Sequence, residues 1–182
     1  MPVVLKLWHW GLIVAAAVVV IVVVAVLAAT LSAPATAATQ YTIRSVLAPG
    51  MYISAATGTN GNLSACVSAT GMRFLVSKNQ DGSYCVKNAA DPAQMLRAVS
   101  TYTGGESVLV HDGEDNRTWY IAPSTADDTG DIFSGTSVTF QLVANQDVVL
   151  DLLGSYTAEN SPVGTYSANG GKNQMWQLVR ND

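Results

Sequence analysis

Asp151, Tyr166, Asn173 and Gln174 fall within a short stretch near the end of the chain, in Val149-Leu150-Asp151-Leu152, Pro162-Val163-Gly164-Thr165-Tyr166 and Asn173-Gln174-Met175-Trp176. An acid, an aromatic ring and two amides are the groups a protein uses to hold a sugar. A carboxylate accepts hydrogen bonds from two neighbouring hydroxyls, an aromatic face covers the apolar C–H side of a pyranose, and an amide both donates and accepts. Taken singly, each residue has a plainer reading. Asp151 could cap a turn with Gly154, and Tyr166 could be an ordinary half-buried tyrosine. Together, in one strand-rich stretch, they point to binding.

Other chemistries find less support. His111-Asp112 invites a catalytic reading, but no Gly-x-Ser-x-Gly elbow or other nucleophile motif accompanies it, so no catalytic residue is assigned and an enzyme is not expected. The acids Asp112, Glu114, Asp115, Asp127, Asp128 and Asp131 lack the spacing and terminal Glu of a calcium loop. With His9 and His111 the only histidines and no clustered thiols, a zinc site is not expected. Neither a metal nor a cofactor is assigned.

The elements that must position the four residues read as strands. From Tyr41 onward no helical period is sustained, and short alternating runs are separated by Gly, Asn, Asp and Ser clusters. The pattern recurs three times. Tyr41-Thr42-Ile43, Tyr84-Cys85-Val86 and Val138-Thr139-Phe140 each open a unit. Met51 to Ser54, Gln94 to Arg97 and Val148 to Asp151 follow, aligned on Ile53, Leu96 and Leu150. Leu63, Val108 and Val163 come next, then Cys66, His111 and Tyr166, and each unit ends on a large aromatic, Phe74, Trp119 or Trp176. One such unit cannot bury its own apolar face, so three must share a core. The expected fold class is all-β: a closed structure of three pseudo-repeats, with the three aromatics in its core.

From Gln40 to Asp182 the chain resembles the ricin-type β-trefoil lectins and their Gln-x-Trp repeat. The likeness is most specific in the third repeat, through Leu150-Asp151-Leu152, Pro162-Val163, Tyr166 to Gly171 and Asn173-Gln174-Met175-Trp176. It implies a β-trefoil and a sugar site on Asp151, Tyr166 and Asn173, with Gln174 bracing the loop. In the second repeat the same places hold Arg97, His111, Asn116 and Arg117, and a guanidinium only donates hydrogen bonds. In the first they hold Ser54, Cys66, Gly71 and Met72, without carboxylate or ring. One site in three is expected. The resemblance implies glycans or glycoproteins as partners, of the galactose or N-acetylgalactosamine class; Gly164, two positions before Tyr166, departs from the family habit of a polar residue there. A second reading of the same fold is a protein-binding module such as a protease inhibitor, acting through the loop from Pro123 to Gly135.

Ahead of this domain, Gly11 to Leu31 carries no charge and is almost wholly Ala, Val, Leu and Ile. Preceded by Lys6 and followed by Ala-x-Ala options near Ala38, it suits a cleaved secretory signal. Being long enough for a bilayer and flanked by Trp8 and Trp10, it equally suits an N-terminal hydrophobic helix kept as a signal anchor. Either places residues 40–182 outside the cytosol, secreted or membrane-anchored, with 1–39 as signal or anchor plus linker and repeats at about 40–83, 84–136 and 137–182. The chain carries a formal net charge of −4 and its one charge before Gln40 is Lys6, so the domain is more acidic still, which argues against nucleic acid as a partner. In an oxidising compartment the two cysteines, Cys66 and Cys85, are expected to form a disulfide. Asn62 and Asn116 open sequons for N-glycosylation.

Overall fold

In Gln40–Ser45 every second side chain is apolar or small, and this alternation becomes a strand with Tyr41, Ile43 and Ser45 turned inward and buried. The computed structural model describes residues 39–57, 63–98, 109–112 (backbone only), 119–122 and 136–181. The apolar run 11–31 with Trp8 and Trp10, the sequons at Asn62 and Asn116, and the loop 123–135 lie outside them. Among the described residues no helix is long and apolar enough to cross a membrane.

The strands fall into three groups of four. The first holds β1 (Gln40–Ser45), β2 (Tyr52–Thr57), β3 (Leu63–Ser68) and β4 (Phe74–Lys78). The second holds β5 (Tyr84–Asn88), β6 (Gln94–Arg97), β7 (Leu109–Asp112) and β8 (Trp119–Ala122). The third holds β9 (Ser137–Leu142), β10 (Asn145–Leu152), β11 (Val163–Ser167) and β12 (Trp176–Asn181). The outer strands of each group pair in a ring, β1–β4–β5–β8–β9–β12 and back to β1, all antiparallel. A sheet closed on itself leaves no edge. The inner strands form three hairpins, β2–β3, β6–β7 and β10–β11. Bridges Ser64↔Leu109 and Cys66↔Pro162 join the first hairpin to the other two.

The repeat is carried into the hydrogen bonds. The Trp176 indole Nε1 donates to the Leu150 carbonyl at 3.1 Å, and the Trp119 Nε1 donates to the Leu96 carbonyl at 2.8 Å. Both tryptophans thereby bury their rings without an orphaned N–H, and Phe74, which has none, occupies the first position fully buried. The backbone N–H of Val46 donates to the Met175 carbonyl, and that of Ala89 to the Arg73 carbonyl, so the junctions after the third and first groups are built alike. One core of aliphatic and aromatic side chains, including Ile43, Ile53, Leu96, Phe140, Leu150 and Leu178, fills the centre.

The expected disulfide is absent. Cys66 lies in β3 opposite Ser54, and Cys85 lies in β5 opposite Ser77; both are buried thiols not linked to each other. In the strand order β7 and β6 stand between β3 and β5. Cys66 Sγ lies 4.0 Å from Asn160 Oδ1 in the third group's loop, while Cys85 has Lys87 as its charged neighbour, so the fold keeps the two thiols apart in different surroundings. Compartment and cysteine count carry no information about that separation.

Candidate functional site

The four residues read from the sequence are brought to the hairpin β10–β11 and the turn that precedes β12. Asp151 stands opposite Gly164 in the β10–β11 register, and Tyr166 stands opposite Val149. Residues two apart share a face, so Asp151 and Tyr166 are diagonal neighbours on one side of the hairpin. Gly164, which faces Asp151 directly, puts no side chain beside the carboxylate.

Asp151 is 2 % exposed, and a carboxylate so placed requires partners. It has two. Asn173 Nδ2 donates to Asp151 Oδ2 at 2.9 Å and Gln174 Nε2 donates to the same oxygen at 2.8 Å. Oδ1 receives neither bond. The carboxylate is thus fixed through one oxygen, with the other available to hydroxyls in the cleft that Asp151 lines.

Gln174, fully buried, is the hub of the turn. Besides Asp151 its Nε2 donates to the Ser167 carbonyl at 2.8 Å, and its Oε1 accepts from the Asn169 N–H at 2.8 Å. The turn itself follows from Asn169-Gly170-Gly171: Asn169 Oδ1 accepts from the Gly171 N–H at 2.8 Å, and Gly170 has a φ of +72°, in the left-handed region that favours glycine. A Cβ on Gly171 would run into Asn173 Oδ1 and Asn169 Oδ1. Glycine there lets Asn173 fold back toward Asp151.

These groups surround an open cleft of about 450 Å³, lined by Asp151, Tyr166, Asn169, Asn173 and the Leu153–Ser155 turn. Tyr166, 48 % exposed, offers ring surface to it. The volume is within the ~300–1,000 Å³ of small-ligand sites. Asn169 and Gly154 were read from the sequence, within the third-repeat likeness and as a turn partner of Asp151, but neither they nor Leu153 and Ser155 were assigned to the site. Asn169 had the signal of Asn-Gly-Gly, and the turn had Gly154, two residues past the end of β10.

The first repeat lacks this assembly among the described residues, and Asn116 and Arg117 of the second lie outside them. Ser54 lines a second cleft of about 510 Å³ with Gly71, Met72, Arg73 and Asn88, which holds no carboxylate and no exposed aromatic. Its aligned partner Cys66 is buried directly opposite Ser54, whereas Tyr166 stands two residues out of register with Asp151. In the second repeat Arg97 is half-buried in β6, and His111 pairs with Met95 in β7. Among the described residues no group of three or more His, Cys, Asp and Glu converges to hold a metal.

No protein-family model matches the chain, and no curated protein matches it in sequence. Solved structures do. The ricin B-like lectin of Macrolepiota procera, solved in complex with lactose, is 18% identical with a TM-score of 0.59, covering 81% of this chain and 99% of that one. The designed three-fold symmetric protein ThreeFoil is 18% identical with a TM-score of 0.60, covering 77% and 97%. The C-half of an earthworm R-type lectin, solved with GalNAc, is 14% identical with a TM-score of 0.51, covering 79% and 99%. The described domain therefore has the β-trefoil fold. At such identities the likeness speaks to fold, and function has to be argued from the site.

Proposed function

We propose that the domain is a carbohydrate-binding module with one sugar site, in the third repeat. The observation that carries this is the buried Asp151 carboxylate, held through Oδ2 by Asn173 and Gln174 on the wall of a cleft shared with the half-exposed Tyr166. A pyranose would lie with its C–H face on Tyr166 and two adjacent hydroxyls on Asp151, while Asn173 adds a hydrogen bond. Galactose or N-acetylgalactosamine is the favoured class. Support comes from the resemblance in the third repeat and from lactose and GalNAc in two proteins of the same fold. A shallow cleft of this kind gives millimolar to high-micromolar affinity, about 4–6 kcal/mol, so avidity would rest on clustering. The apolar run 11–31 would carry the domain out of the cytosol as a signal or hold it at a membrane as an anchor.

The test is saturation-transfer NMR of the chain with galactose, N-acetylgalactosamine, lactose and N-acetylglucosamine, alongside Asp151→Ala and Tyr166→Ala. Transfer to a galactose-class sugar is expected, abolished in Asp151→Ala and weakened roughly three- to tenfold in Tyr166→Ala. A folded protein that gives no transfer to any sugar would refute the reading and favour protein recognition through loops.

A further inference from the structure

Tyr156 at 65 % and Tyr166 at 48 % are the exposed large hydrophobic side chains among the described residues. Single exposed tyrosines are common on protein surfaces and call for no explanation. One lines the cleft and the other stands just outside it. Tyr166 lines it, and the Tyr156 ring lies on Gly154, which lines it too.

The backbone places Tyr156 there at a cost. Gly154 and Ser155 are both left-handed, with φ of 64° and 56°, and the chain returns to an extended course at Tyr156. For serine this conformation is uncommon and persists where the surroundings over-determine it. The double left-handed step throws Tyr156 back over the glycine, and a Cβ at Gly154 would overlap the ring. The loop is also tied down on both sides. Leu153 N–H donates to the Pro162 carbonyl, Asn160 N–H to the Val67 carbonyl, and Val67 N–H to the Ser161 carbonyl. Glu159 accepts from the Ala69 N–H at 3.0 Å. The backbone that presents Tyr156 is thus fixed, and a ring with two rotatable bonds on a fixed backbone loses less entropy on stacking than one on a mobile loop.

Resting on the sugar-binding reading above, we propose that the site continues outward from Asp151 over Tyr156, which stacks a second sugar ring. The ligand is then a disaccharide or longer glycan end whose terminal residue sits between Asp151 and Tyr166 and whose next residue lies on Tyr156. Tyr156 determines preference for chain length, and the inner residues determine which terminal sugar is accepted.

The experiment is a titration of the full chain with galactose, lactose and melibiose, the disaccharides offering β1→4 and α1→6 linkages, for the wild type, Tyr156→Ala and Tyr156→Phe. At least one disaccharide is expected to bind roughly three- to tenfold more tightly than galactose. Tyr156→Ala should remove that gain and leave galactose unchanged, while Tyr156→Phe should retain it. Equal affinity for galactose and both disaccharides, or a Tyr156→Ala loss shared equally with galactose, would overturn the second platform and leave the inner site standing. Absence of binding to all three sugars by folded wild type would overturn both.

Discussion

Gln174→Met separates the brace from the groups that would touch a ligand, because Gln174 does not line the cleft. Methionine approximates the shape and removes three hydrogen bonds: to Asp151 Oδ2, to the Ser167 carbonyl and from the Asn169 N–H, each 2.8 Å. The bond to the carboxylate is the strongest type, about 1.5–3 kcal/mol, and the other two are worth about 1 kcal/mol each. Two features reduce the total. Asp151 Oδ2 keeps its bond from Asn173, and Ser167 and Asn169 are exposed residues that water can reach. The net loss should be about 2–4 kcal/mol, a fall in melting temperature on the order of 6–15 °C for a domain of this size. Urea or thermal unfolding followed by tryptophan fluorescence measures it, and a sugar titration at a temperature where the variant is folded should show weakened binding. Gln174→Glu adds a contrast. Its new carboxyl faces Asp151, so its folded-state pKa is raised, and its destabilisation should grow as pH rises above about 4.3 and shrink in acid. A loss below about 1 kcal/mol in Gln174→Met with unchanged sugar affinity would refute the view that Gln174 holds Asp151 in place.

Two further outcomes follow from groups outside the cleft. Hydrogen bonds from the Ser68 hydroxyl and the Ala69 N–H hold Glu159 below the usual carboxylate range, so its contribution is present above the unfolded pKa and is lost as pH falls through the folded one. The wild-type melting temperature should therefore exceed that of Glu159→Gln near neutrality and converge with it in acid; parallel curves from pH 7 to pH 3 would exclude the clamp. Burial pushes the Cys66 and Cys85 thiols up, reinforced at Cys66 by Glu159 and opposed at Cys85 by Lys87. A thiol reagent should react slowly with the native chain and promptly with both cysteines in denaturant without reductant, whereas finding no thiols in denaturant would restore the disulfide.

The strand groups were legible because their signals are local. A strand-like triplet opens each, an aligned aliphatic sits on the second strand, and an aromatic closes it, so Trp119 and Trp176 meet the carbonyls of the aligned Leu96 and Leu150. The candidate site was legible where residue type carries the chemistry. Asp151, Asn173 and Gln174 could be named because the resemblance of the third repeat to the ricin-type lectins puts an acid and two amides at those places, and both amides do bond to Asp151. The cleft's outer wall was not legible. It depends on the backbone of Gly154 and Ser155, and nothing in a serine announces a φ of 56°. Tyr156 was missed for the same reason, since its placement follows from those two residues. The cysteine pairing failed because the fold puts the two thiols on β3 and β5 with different neighbours, which is invisible to counting.

Why the third repeat assembles this cluster and the first does not can be argued from the same geometry. A carboxylate buried as deeply as Asp151 is tolerable only with donors already in place. Those donors come from a turn that needs Asn169, Gly170, Gly171, Asn173 and Gln174 together. At Ser54, half-buried in the first repeat, the cleft has donors in Gln40, Arg73 and Asn88, but Gly71 and Met72 stand where the third repeat has Asn173 and Gln174, so an Asp placed there would lack the paired amides that hold Asp151. The acid and its turn therefore stand or fall as a unit. Loss of either makes the other a liability, which accounts for a first repeat that retains the fold and a cleft of similar size but none of the binding chemistry.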